Sequence, residues 1–141
     1  MILLDTNVIS ELMSGRQPSP VVVAWFNSVS ALPFYISTIT ETELLRGVAA
    51  MPAGKRRNLR EVEINDMLNE DFADSILAYD SRAARAYAEI EAHRRSIGRP
   101  IQIFECQIAA IAKVHGLGIA TRNVADFESC GLDIIDPWTH R

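Results

Sequence analysis

The chain has 141 residues, 48% hydrophobic and 23% charged, and its 14 basic and 18 acidic side chains give a formal charge of −4. These values describe one globular domain over residues 1–141, large enough to bury about two-thirds of its unfolded surface. They exclude a disordered chain and leave no basic excess for long-range capture of nucleic acid. Cys106 and Cys130 match no metal-ligand spacing. No apolar run approaches the roughly 18 residues that span a bilayer, and the start Met1-Ile2-Leu3-Leu4-Asp5 lacks the pattern of a signal peptide. The expected compartment is the cytoplasm.

Ile2-Leu3-Leu4 is a short unbroken apolar run, as in a strand buried on both faces of a parallel sheet, and it ends in Asp5-Thr6-Asn7. Val8, Ile9, Leu12 and Met13 then recur at helical spacing until Gly15 and Pro18. Ser19-Pro20 opens a second helix, with Ser19 as cap and a buried stripe of Val22, Trp25, Phe26 and Val29. Phe34-Tyr35-Ile36 reads as a second strand. A third helix follows Ser37-Thr38, is interrupted at Gly47 and stops at Met51-Pro52-Ala53-Gly54. Leu59, Val62 and Met67 mark an amphipathic helix with a charged outer face. Ile76 to Tyr79 is a third strand before Asp80. Ser81 then caps a long alanine-rich helix that Gly98 and Pro100 close. A helix over about Ile103–His115, a strand at Gly118–Ala120, a short helix over Val124–Ser129 and a strand over Leu132–Ile135 complete the chain. Alternating strands and helices imply right-handed crossovers and a parallel sheet with helices on both faces, so the fold class is α/β.

Ligands in such sheets bind beyond the carboxyl ends of the strands, and acids recur at that edge. Asp5 follows the first strand, where it also fits a helix N-cap. Glu43 lies in the helix after the second strand, where Thr40-Glu41-Thr42-Glu43 also fits a capping box. Glu105 shares an otherwise apolar helix face with Ile101, Ile108 and Ala112, where an ion pair to Arg46 or Arg122 is the competing role. Asp126 follows the fourth strand through Thr121-Arg122-Asn123 and also fits a first-turn acid. Thr6, Asn7, Thr121 and Asn123 fall between the four acids. Clustered carboxylates repel one another unless a cation is present, and all-oxygen donors select Mg²⁺ or Mn²⁺ over zinc. His93, His115 and His140 are scattered, and no nucleophile triad or phosphate-binding glycine loop occurs. Metal-assisted phosphodiester hydrolysis is the chemistry these residues suit best. A solvated charged surface is the expected role of most of Arg46, Arg94, Arg95, Arg99 and Arg122, with phosphate contacts the alternative and Arg122, beside the acids, best placed for them.

The segments Leu3-Leu4-Asp5-Thr6-Asn7-Val8-Ile9-Ser10-Glu11, Ser37 to Gly47, Gln107 to Ala112, Ala120 to Phe127 and Asp136-Pro137-Trp138 resemble PIN domains. More narrowly, they resemble the VapC toxins of bacterial toxin–antitoxin pairs and the related FitB proteins. The resemblance implies a three-layer α/β/α sandwich with a central parallel sheet of four to five strands, and an Mg²⁺-dependent endoribonuclease, with Mn²⁺ an alternative ion. It implies Asp5 and Glu105 as principal metal ligands, Glu43 and Asp126 completing an acidic pocket, and Thr6, Asn7, Thr121, Arg122 and Asn123 in support. It further implies a homodimer and a VapB-like antitoxin that covers the site and carries the operator-DNA contact. Two positions depart from the family: Glu105 stands where aspartate is usual, and Asn123 where some relatives carry an aspartate. The competing expectation is an attenuated module of the same fold that mainly binds its antitoxin. A receiver-like phospho-acceptor domain fails because Thr6 and Asn7 are not acids and no lysine follows Lys113.

Overall fold

The computed structural model describes residues 1–141. Five parallel strands form one sheet in the order β3-β2-β1-β4-β5. They are β1 (Ile2–Leu4), β2 (Phe34–Ser37), β3 (Ile76–Leu77), β4 (Gly118–Ala120) and β5 (Ile134–Ile135). The helices are α1 (Thr6–Leu12), α2 (Pro20–Ser28), α3 (Thr38–Ala49), α4 (Lys55–Asp66), α5 (Ser81–Ser96), α6 (Ile103–Val114) and α7 (Val124–Phe127). A π-helical turn, Met67–Asp71, extends α4, and a 3₁₀ turn, Pro137–Thr139, ends the chain.

Each face of the sheet carries its own core. Ile2, Leu4, Ile36 and Ala120 pack with Val8, Trp25, Leu44, Val48 and Ile64 on one side. Leu3 and Ile119 pack with Ile90, Ile108, Ile111 and Phe127 on the other. Alternation along β1 therefore divides three consecutive apolar residues between two layers, which is why the run lacks polar interruptions. Trp25 and Phe26 both pack on Phe34, so these aromatics belong to the core.

Two local expectations are corrected. Gly47 does not interrupt α3, which runs through it to Ala49. The cap of α5 is Asp80, whose carboxylate accepts from the Ala83 N–H at 3.0 Å; Ser81 is the first helical residue. Ser19 is the N-cap of α2 and Pro20 its first residue, as expected, but the Ser19 side chain makes no capping bond.

Strand β1 pairs with β2 on one side and with β4 on the other. The chain thus builds outward through β2 and β3, then returns to the far side of β1. The crevice beyond β1 and β4 is the topological switch point, where open α/β sheets place ligands.

Candidate active site

Asp5 leaves β1 at that crevice. Its N–H donates to the Ala120 carbonyl at 2.9 Å, continuing the ladder to β4, and its carboxylate caps α1. Oδ1 accepts from the Thr6 N–H at 2.8 Å, and Oδ2 accepts from Thr121 Oγ1 at 2.7 Å and Asn7 Nδ2 at 3.2 Å. The helix-cap and site readings of Asp5 are therefore compatible: the cap fixes the carboxylate that faces the cleft. Asn7 ties the second loop to the first, with Nδ2 donating to Thr121 Oγ1 at 3.3 Å and Oδ1 accepting from the Arg122 N–H at 3.2 Å. Thr121, wholly buried, also accepts from the Asn123 N–H at 3.0 Å.

The α3 side is positioned through hydroxyls. Ser37 caps α3 by accepting from the Thr40 N–H at 3.1 Å. This leaves both glutamates out of a capping box. Glu43 instead accepts from Thr6 Oγ1 at 2.8 Å, and Thr6 Oγ1 lies 3.0 Å from the buried Thr40 Oγ1. Glu105, in the first turn of α6, enters no ion pair with Arg46, Arg122 or any other base.

These groups open onto a cleft of about 480 Å³ lined by Asp5, Thr6, Asn7, Glu43, Glu105, Arg122 and Asn123, with Ser10, Glu11, Phe104, Ile108 and Trp138. Four of the lining side chains are acids and only Arg122 is basic. The Arg122 guanidinium lies over the Trp138 ring, 5.1 Å from its centroid. Burial is the main cause that holds the Asp5 carboxyl above the usual aspartate range, and the charges of Glu43 and Glu105 push the same way; the bonds from Thr121 and Thr6 oppose them. No three acid, histidine or cysteine side chains converge tightly enough to close a cage around an ion. The donor set that faces the cleft is made of hard oxygens.

Asp126 is not among the lining residues. It is exposed on the short helix α7, and Asn123 lines the cleft in its stead. Arg94 is not a surface residue: it is 4% exposed, and its guanidinium donates to the carbonyls of Arg99, Asp126 and Glu128 at 2.7–2.9 Å. Arg95 and Arg99 are paired with Glu91 and Glu128. Thr40, Ser10, Phe104 and Trp138 were not assigned to the site from the sequence. Ser10, Thr40 and Trp138 each lie in a segment that carries the resemblance, which was their only signal.

Residues 2–129 match the family model for the PIN domain. The chain belongs to the PIN-domain family. It is 43% identical over 138 residues to a VapC ribonuclease, Y4jK, of Sinorhizobium fredii, covering 98% of each chain. It is 39% identical over 138 residues to Toxin FitB of Neisseria gonorrhoeae, covering 98% of this chain and 99% of that one. Among solved structures, a FitAB complex bound to an IR36 DNA fragment superposes with a TM-score of 0.93 at 37% identity, over 100% of this chain and 98% of that one. The five-stranded parallel sheet and its flanking helices are thus those of a PIN domain.

Proposed function

We propose that this PIN domain is the toxin of a type II toxin–antitoxin pair, a metal-dependent endoribonuclease that hydrolyses RNA phosphodiesters through Asp5, Glu43 and Glu105. The observation that carries this reading is the state of Asp5. A carboxylate only 7% exposed is fixed by three donors, yet shares its cleft with three other acids and one base. Such an arrangement is costly for the folded chain alone and suits a site that receives a hard divalent cation. The relatives named VapC ribonuclease and Toxin FitB support the same activity.

Asp5 and Glu105 are the proposed principal ligands of Mg²⁺ or Mn²⁺, with Glu43 and Asn123 nearby. Mg²⁺ keeps several of its waters and takes only one or two carboxylates from the protein. When bound, such an ion lowers the pKa of coordinated water and offsets charge on the scissile phosphate. The chain supplies the rest. Thr121 and Asn7 hold Asp5 in one orientation, Thr6 turns Glu43 toward the cleft, and Arg122, braced on Trp138, meets phosphate at the rim. Phe104 and Ile108 give the cleft an apolar wall. The proposed partners are a VapB-like antitoxin that covers the cleft, operator DNA bound through that antitoxin, and a second copy of the chain.

Glu105 favours a second reading, in which the chain mainly binds its antitoxin and cuts weakly. Its carboxylate reaches about 1.5 Å further than the aspartate usual in the family, one extra C–C bond, and Mg²⁺ geometry is strict. Cleavage of structured RNA without antitoxin, in Mg²⁺ and in Mn²⁺, separates the two. Cutting by the wild type but not by Asp5→Ala supports the nuclease. Cutting by Glu105→Asp alone identifies an attenuated site, and no cutting by any of the three contradicts the nuclease reading.

A further inference from the structure

A second cleft, about 520 Å³, adjoins the acidic one. Ser10 lines both, so the two are continuous across the exposed side of α1. The charge reverses between them. The second cleft is lined by Arg16, Arg56 and Arg60, against the single acid Glu63. Arg60 is already committed: its Nη1 donates to the Met13 carbonyl, which bears the loop leading to Arg16, and lies 3.4 Å from Glu63 Oε2. That pairing uses the only acid. The guanidinium groups of Arg16 and Arg56 enter no ion pair, and both residues are exposed.

The stability of α4 does not explain this placement. Lys55, Arg56 and Arg57 occupy its first turn, which has no acid and no side-chain cap. Cations there oppose the helix dipole, at a cost of about 0.3–1 kcal/mol each for exposed groups. The rest of the protein is net acidic, so these arginines do not serve a general attraction to nucleic acid. They form a local cationic wall at one end of an acidic cleft.

We propose that the RNA strand leaves the acidic cleft over Ser10 and that Arg16 and Arg56 hold backbone phosphates on one side of the scissile bond. This rests on the ribonuclease reading given above. An acidic cleft repels the flanking phosphates of its own substrate, and the neighbouring arginines supply the missing attraction without placing a cation among the carboxylates. Contacts to phosphate fix position rather than sequence, so this subsite sets affinity and register while base selection lies elsewhere.

The test compares wild type, the double variant Arg16→Gln/Arg56→Gln, and Arg85→Gln, a control on the exposed side of α5 outside both clefts. Cleavage of short single-stranded oligoribonucleotides is followed in Mg²⁺. Binding of the same fluorescein-labelled RNA is measured across salt concentrations in an Asp5→Asn background. Two lost phosphate contacts lower the slope of log affinity against log salt by about 1.4, at about 0.7 per contact for single strands. The expected result is a KM raised about tenfold with kcat within about twofold, and Arg85→Gln unchanged. Unchanged KM and salt slope in a double variant that still cuts RNA overturn the inference and leave the nuclease reading intact. Normal RNA kinetics with lost antitoxin binding also overturn it, and assign the cleft to a protein partner. A wild type that neither binds nor cuts RNA overturns both.

Discussion

Thr121→Val removes one hydroxyl from the site and leaves its shape unchanged. The residue is wholly buried, so a valine of equal volume opens no cavity. The hydroxyl donates to Asp5 Oδ2 at 2.7 Å and accepts from Asn123 N–H and Asn7 Nδ2 at 3.0 and 3.3 Å. A hydrogen bond to a charged group contributes about 1.5–3 kcal/mol. That bond favours the ionised form, so without it the Asp5 carboxyl, already raised by burial, rises further. The two weaker bonds bring the total loss to about 3 kcal/mol wherever Asp5 is ionised. With an unfolding entropy near 0.3 kcal/mol/K for this length, the melting temperature falls by about 10 °C. The assay is RNA cleavage against pH, beside thermal unfolding at acid and neutral pH. The acidic limb of the rate profile should move to higher pH. Thr121→Ser, which keeps the hydroxyl, should leave the limb in place. A folded Thr121→Val protein with an unmoved limb refutes the assignment of Asp5 as the ionised group that the site needs.

The raised pKa of Asp5 also fixes how metal-free stability depends on pH. Its contribution is fully present below the unfolded value of 3.8 and is lost as pH rises through the higher folded value. Asp5→Asn should therefore abolish cleavage yet raise the melting temperature of the metal-free protein at neutral pH; scanning calorimetry checks it, and a lower value contradicts the burial argument. Asp126→Asn should leave cleavage within about twofold, because the residue faces solvent, whereas Glu43→Gln should lower it by at least about tenfold by cancelling one charge of the cleft. Arg94→Met should destabilise by about 3 kcal/mol, since it removes three hydrogen bonds from a buried guanidinium to main-chain carbonyls, and denaturant unfolding measures it. Cys106, wholly buried with its thiol pushed up to about 12 by desolvation first, should resist thiol reagents at pH 8 until the chain unfolds.

Strand order aside, most of the scaffold was legible because the apolar runs and their helical successors carry distinct periods. Asp5, Glu43 and Glu105 stood out because each lies at a strand end or early in a helix, and Glu105 lies on an otherwise apolar face where a lone carboxylate is costly. Asp126 falls outside the cleft lining because α7 has only one turn, and a shift of one residue in so short a helix exchanges cleft for solvent. Arg94 looked like surface charge because its partners are main-chain carbonyls, which leave no trace in residue types. Asp80 and Ser81 are both good caps, and only the observed start of α5 decides between them. The basic cleft was hidden for a topological reason, since Arg16 and Arg56 come together only where Arg60 of α4 bonds the Met13 carbonyl after α1.

The pairing of β1 with β4 has a consequence for the timing of synthesis. Asp5 leaves the ribosome well before its partner, since the strand that leads to Thr121 follows more than a hundred residues later. At about 5–20 residues per second, Asp5 waits on the order of ten seconds with one flank of its strand bare. The cleft closes only when β4 docks, so a nascent or C-terminally truncated chain has its carboxylates but not their geometry. The site is therefore assembled only once the chain through β4 has been made, however early its first carboxylate is in place.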